Sequence, residues 1–166
     1  MSRPRAYAEE TTVSVSRTRE QINKLLRTWG CEQILWMDNF KEGSALLQLV
    51  WITEKGLQIP LEYSISLPTE AEIRAEYQRP PTKAQVEKRR QQRNRAMFRL
   101  LLLKLKADLN WVAAGGEDEI SVFLSHVIMN DTDGVPMQIG QLVGPKLLEG
   151  YTGHPVKLLG GPHGRE

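Results

Sequence analysis

Nine lysines and arginines stand between Lys83 and Lys106 against a single acid, Glu87. That segment carries +8 in a chain whose total is +2, which leaves −6 on the other 142 residues. Like charges crowded onto one element repel each other, so the block needs either solvent or a polyanionic partner. Phosphates spaced along a nucleic-acid strand are the natural counter-charge, and binding of that kind weakens steeply with salt. The plainer reading is a solvated helix face, or one whose charges pair with acids elsewhere in the chain. At 100° per residue, Lys88, Arg95, Arg99 and Lys106 fall together on one flank of a helix, spanning roughly 27 Å of its axis. Arg89, Arg93 and Lys104 lie on the far side, with Arg90 between them and the apolar arc. The candidate phosphate contacts are therefore Lys88, Arg89, Arg93, Arg95, Arg99 and Lys106, with Lys83 and Arg90 secondary.

Other chemistry finds no such pattern. His126, His154 and His163 show no metal-ligand spacing, and Cys31, alone in the chain, can form neither an intramolecular disulfide nor a thiolate cage. The Asp131-Thr132-Asp133-Gly134 stretch looks like a calcium loop, but the first and twelfth positions would be Met129 and Gly140, neither of them a carboxylate. It reads as a turn. A metal-dependent nuclease would need an acid near one strand and Glu-x-Lys on the next. Asp38 and Glu54 are available, but Lys55 follows Glu54 directly, and Glu62 is followed by Tyr63 and Ser64. No glycine-rich phosphate loop or Gly-x-Ser-x-Gly elbow is present. No catalytic residue, metal or cofactor is assigned from the sequence.

The elements that must position the basic block follow from periodicity. Thr12–Val15 reads as a short strand, after which Ser16 or Thr18 caps a helix. Ile22, Leu25, Leu26 and Trp29 give that helix one apolar face, and Gly30 ends it. Strands are expected over 33–37 and 44–53, joined by a polar connection and followed by a tight turn at Glu54-Lys55-Gly56. Leu57, Ile59, Leu61, Tyr63 and Ile65 alternate with polar residues and Pro60, which places this third strand at an edge. A polar linker covers 68–81. Thr82 and Gln85 then form a capping box for a helix reaching Gly115-Gly116, about 33 residues or roughly 50 Å. Val86 is the one large apolar residue over 83–95, so this half is expected to project from the body.

Phe98, Leu101, Leu102, Leu105, Leu109 and Val112 share one arc of the long helix, which faces either the core or a partner. Ile120, Phe123, Leu124, Val127 and Ile128 form the stripe of a third helix, and Ile139 to Leu147 suggests a shorter one. Trp36, Trp51 and Tyr63 sit on strands, where exposed aromatics can stack unpaired bases; sharing faces with leucine and isoleucine, they read as core. The fold class is α+β: a β-α-β-β-β antiparallel sheet with a packed helix (1–67), the linker (68–81), a helical part with the long basic helix (82–159) and a flexible tail (160–166).

With 40% hydrophobic and 25% charged residues over 166 positions, the chain fits one globular domain with a sizeable core. Residues 1–12 contain no apolar core of a secretory signal, and the longest leucine run is Leu100 to Leu103. A cytoplasmic, non-membrane setting is expected.

Several segments resemble a group of uncharacterised small proteins encoded by bacteriophages and prophages. They are Val13-Ser14-Val15-Ser16, the Arg19, Ile22, Leu25, Leu26, Gly30 helix, Leu102-Leu103-Lys104-Leu105-Lys106-Ala107, and Phe123-Leu124-Ser125-His126-Val127. The resemblance spans most of the chain and implies a phage or mobile-element setting in a bacterial host cell. It carries no catalytic residues with it. The expected function is non-catalytic nucleic-acid binding, to DNA or RNA, as an accessory protein or subunit. The alternative is a protein-interaction module, a complex subunit or an inhibitor of a host defence system, using Phe98, Leu101, Leu102 and Leu105 towards a protein partner or a second copy.

Overall fold

Residues 44–52 alternate strictly between buried and half-buried positions, the pattern of the middle strand of a sheet covered on one face. The computed structural model describes residues 8–39, 42–53, 55–130 and 133–144. It places helix α1 (Val15–Thr28) before strands β1 (Gln33–Asn39), β2 (Ser44–Ile52) and β3 (Gln58–Ser66). These strands form one antiparallel sheet in the order β1-β2-β3. Helices α2 (Glu70–Ala75), α3 (Lys83–Ala113) and α4 (Glu119–Phe123) follow, with a 3-10 turn at Leu124–His126 and a hairpin of β4 (Ile128–Asn130) and β5 (Pro136–Gln138). Residues 139–144 are helical. The class is α+β, as the periodicities indicate.

The expected strand at 12–15 does not form. Ser14 instead caps α1: its hydroxyl accepts from the Arg17 amide at 3.3 Å, and its carbonyl accepts from both the amide and the hydroxyl of Thr18. Ser14 thus commits its hydroxyl and carbonyl to the helix, and the Val13 amide donates to the Thr11 hydroxyl at 3.3 Å instead of to a neighbouring strand. Gly30 follows α1 with φ +85°, the left-handed stop that its position suggests. Gly43 serves a different need. At φ +62° its carbonyl accepts from the Leu67 amide at 2.7 Å, and a Cβ there would lie 2.7 Å from the Leu67 carbonyl oxygen.

The core lies between the inner sheet face and two helices. Ala45, Leu47, Leu49, Trp51, Leu61, Tyr63 and Ile65 from the sheet meet Ile22 and Leu26 of α1 and Phe98, Leu101, Leu102, Leu105 and Leu109 of α3. The N-terminal segment meets Gln92, Arg19 lies over Phe98, and Gln21 bonds Arg99, so α1 and α3 run in the same direction. Trp51 and Tyr63 are core residues. Trp36 is half-buried, with Arg19 over its ring, Phe98 at 5.7 Å and its indole N–H on Asn23.

Two expectations for the second half change. The 68–81 stretch holds α2, whose Thr69–Glu72 capping box starts a turn that buries Ile73 completely against the body. It is a bracket on α3, not a free linker. The stripe at 120–128 is split: helix ends at Phe123, and Val127, still packed against the core, forms a bridge with Leu61 at the edge of β3. Leu147 and the 160–166 tail lie outside the described residues, as do Glu54 and Asp131-Thr132. Among the described residues, no helix is long and apolar enough to cross a membrane.

Beside this junction His126 stacks on Tyr63 with centroids 4.0 Å apart. Both Tyr63 Oη and His126 Nδ1 are buried without a hydrogen-bond partner. Burial pushes the His126 pKa down, Lys104 pushes the same way, and a bond to the Glu62 backbone and the charge of Asp108 oppose them. The folded state thus binds this proton more weakly than the unfolded chain, so the stability it contributes is lost as pH falls below about 6.5. Urea midpoints should fall between pH 7.5 and pH 5.5, and His126→Phe, which keeps the stack without the proton, should flatten that part of the profile. Leu102→Ala, at a fully buried position, should cost about 2–5 kcal/mol by the same denaturation measurement.

Candidate nucleic-acid interface

A helix this basic survives only if its charges are solvated, paired or separated, and α3 uses all three. Arg89 and Arg93, one turn apart, both reach back to Glu76 just beyond α2, at 2.9 and 2.8 Å. Arg89 also lies 3.5 Å from Glu9, while Arg90 pairs with Glu87 at 2.8 Å and Lys104 pairs with Asp108. Burial works to raise the Glu76 carboxyl, but the hydrogen bonds and charges of Arg89 and Arg93 outweigh it and hold it below its ordinary value. Glu76 in return holds Arg89 more firmly protonated. The N-terminal half of α3 therefore does not project. Val86 is buried, α2 covers one side, and Gln92 donates to the carbonyls of Glu9 and Thr11 on the other.

The flank of Lys88, Arg95, Arg99 and Lys106 is built differently. None of the four has an acid within ion-pair distance among the described residues, and neither does Lys83. Lys83, Lys88 and Lys106 are exposed. Arg95 donates to the Gln92 side-chain oxygen at 2.7 Å, and Arg99 donates to that of Gln21 on α1 at 2.7 Å. A carboxamide oxygen fixes a guanidinium without supplying a counter-charge, so these arginines are oriented and have no acid in ion-pair distance among the described residues.

Gln21 extends the surface onto α1. Arg17 and Lys24 stand four residues before it and three after, on a helix face that also carries Glu20; both are exposed, and neither has an acid within ion-pair distance among the described residues. Because α1 and α3 run in the same direction, five cations (Arg17 and Lys24 beside Arg95, Arg99 and Lys106) share a two-helix face. Lys88 continues it along α3. Arg17, Gln21, Lys24 and Gln92 were not singled out from sequence. The signal that could have found the α1 cations is the charge of that helix, Arg17, Arg19, Lys24 and Arg27 against Glu20 alone, but only the Arg99–Gln21 bond reveals which of its faces adjoins α3.

The sequence-derived candidates thus divide. Lys88, Arg95, Arg99, Lys106 and Lys83 remain free of acids, while Arg89, Arg90 and Arg93 are engaged in ion pairs that fasten or decorate the fold. The arc of Phe98, Leu101, Leu102 and Leu105, open to either core or partner by its pattern, faces the core. All four are buried against the sheet and α1, which removes them as a partner surface. Asp38 is taken up by both terminal nitrogens of Arg19. No cluster of three or more His, Cys, Asp or Glu side chains that could hold a metal gathers among the described residues. Comparison with protein-family models, curated proteins and solved structures found no match.

The Glu76 clamp has a testable consequence. Its contribution is present above about 4.5, the ordinary glutamate value, and disappears as pH falls through the lowered folded value. Glu76→Gln should therefore destabilise the protein by about 1 kcal/mol at neutral pH and low salt, and by less in 1 M NaCl. In urea titrations the gap between variant and parent should close as pH is lowered below the carboxylate range.

Proposed function

We propose that the protein binds nucleic acid without catalysis, through phosphate contacts from the α1–α3 face. The observation that carries this reading is the segregation of charge. Arg89 and Arg93 find Glu76 beside α2, and Arg90 and Lys104 find acids on α3 itself. On the α1 side Arg95 and Arg99 are held by neutral glutamines, and Lys88 and Lys106 stand exposed without an acid in ion-pair distance among the described residues. An accidental basic helix would spread its unpaired charges over every solvent face. Here four of the five line one flank, from Lys88 to Lys106, roughly 27 Å or about eight base-pair steps of B-form duplex, with Lys83 apart at the start of the helix.

The working residues are Lys88, Arg95, Arg99 and Lys106, joined by Arg17 and Lys24, with Lys83 at the end of the helix. Arg89, Arg90 and Arg93 support the structure. The rings of Trp36, Trp51 and Tyr63 are engaged inside the fold, so base stacking on the sheet is not part of the mechanism. Contact is to the backbone, and sequence preference is weak. A role as an accessory or subunit in phage or mobile-element DNA or RNA transactions accords with the resemblance of several segments to phage-encoded proteins.

Titration into labelled single- and double-stranded DNA and RNA at several salt concentrations tests this directly. Replacing Lys88, Arg95 and Arg99 together by Glu should lower affinity at least about ten-fold at 0.1 M salt, and reduce the slope of log affinity against log salt by about three. Arg17→Glu with Lys24→Glu should act in the same sense, while Arg89→Gln with Arg93→Gln should lower the urea midpoint more than the affinity. Equal affinity in the parent and the Lys88/Arg95/Arg99 variant would refute the reading.

A further inference from the structure

Strand β1 ends the sheet, and among the described residues nothing pairs with its outer edge. Monomeric proteins protect such an edge with lysine, proline, a bulge or a covering segment, because unpaired amides and carbonyls otherwise recruit another strand. The opposite edge shows those devices: β3 contains Pro60, and Val127 bridges to Leu61. β1 has neither lysine nor proline, and its register with β2 runs without a bulge from Gln33 to Asn39. Its one charge, Asp38, is held by Arg19 of the same chain. On the outer face Leu35 is 53% exposed and Met37 38% exposed, beside half-buried Leu46 and Val50 of β2.

From this edge we infer that the protein self-associates, β1 pairing antiparallel with β1 of a second copy to continue the sheet across a two-fold axis. The strand is self-complementary in one register. With Trp36 on the axis, Leu35 of one copy lies opposite Met37 of the second copy, so the exposed apolar side chains meet across the junction. With Leu35 on the axis, Met37 would face Gln33 of the second copy; with Met37 on the axis, Leu35 would face Asn39. Internal neutralisation of Asp38 lets the two edges approach without repulsion. A seven-residue edge is about 23 Å long, which puts the contact at the small end of specific interfaces and makes the dimer concentration-dependent.

Sedimentation velocity of the full chain, freed of nucleic acid, from about 1 to about 200 μM in moderate salt is the test. The expected result is a shift from one chain to two, abolished in the L35K/M37K variant while its circular dichroism stays unchanged. Register is checked by cysteine pairing: a mixture of L35C and M37C chains should form an inter-chain disulfide several-fold faster than either variant alone, Cys31 being buried in both. A monomer at every concentration, or a dimer indifferent to L35K/M37K, overturns the proposal. So does a monomer that dimerises only after residues 145–166 are removed, since the chain's own C-terminal segment would then be what covers the edge. None of these outcomes depends on whether the α1–α3 face binds nucleic acid.

Discussion

The stripe from Phe98 to Leu109 packs against the inner sheet face, and nearly every other feature hangs on that burial. Phe98, Leu102, Leu105 and Leu109 are essentially without solvent contact, and a leucine or phenylalanine so buried contributes about 1.5–3 kcal/mol. This seam anchors a 31-residue helix that carries far more positive charge than its own propensity could hold together. It also fixes where the charges go. Once one arc is turned inward, the flanks of α3 are assigned, one to α2 and the other to α1.

Electrostatics then acts within that frame. On the α2 side, Glu76 takes two arginines and Glu9 shares one of them, so repulsion becomes a clasp that adds to the burial of Ile73. On the α1 side, Gln21 and Gln92 supply oxygens without charge. The difference between a carboxylate and a carboxamide at these few positions separates structural arginines from available ones. Helical phase separates the two groups, but neither phase nor residue type says which of them meets acids.

Much of the fold was legible beforehand. The alternation through β2 and β3, the Thr82–Gln85 capping box and Gly30 as a stop all act over two to four residues, and local physics suffices to read them. Misreadings came where tertiary partners override local preference. Thr12–Val15 has strand-like composition, but Ser14 commits its hydroxyl and carbonyl to α1. Val127 and Ile128 follow a helical stripe yet leave it, because Val127 finds a backbone partner in Leu61 at the edge of β3 and Ile128 finds one in Gln138 of β5. The three-residue strands β4 and β5 are too short for any alternation to register.

The chain's composition and spacing by themselves determined that a long, basic, amphipathic helix would form and that one of its arcs would be apolar. Helical phase depends on nothing beyond sequence order. Which cations stay available was decided only in three dimensions, because an ion pair such as Arg89–Glu76 joins residues on different helices, and an α1 face becomes part of a surface only when Gln21 meets Arg99. The bare edge of β1 belongs to the same category. A strand's sequence gives its alternation, but whether its outer amides find a partner depends on where the sheet stops.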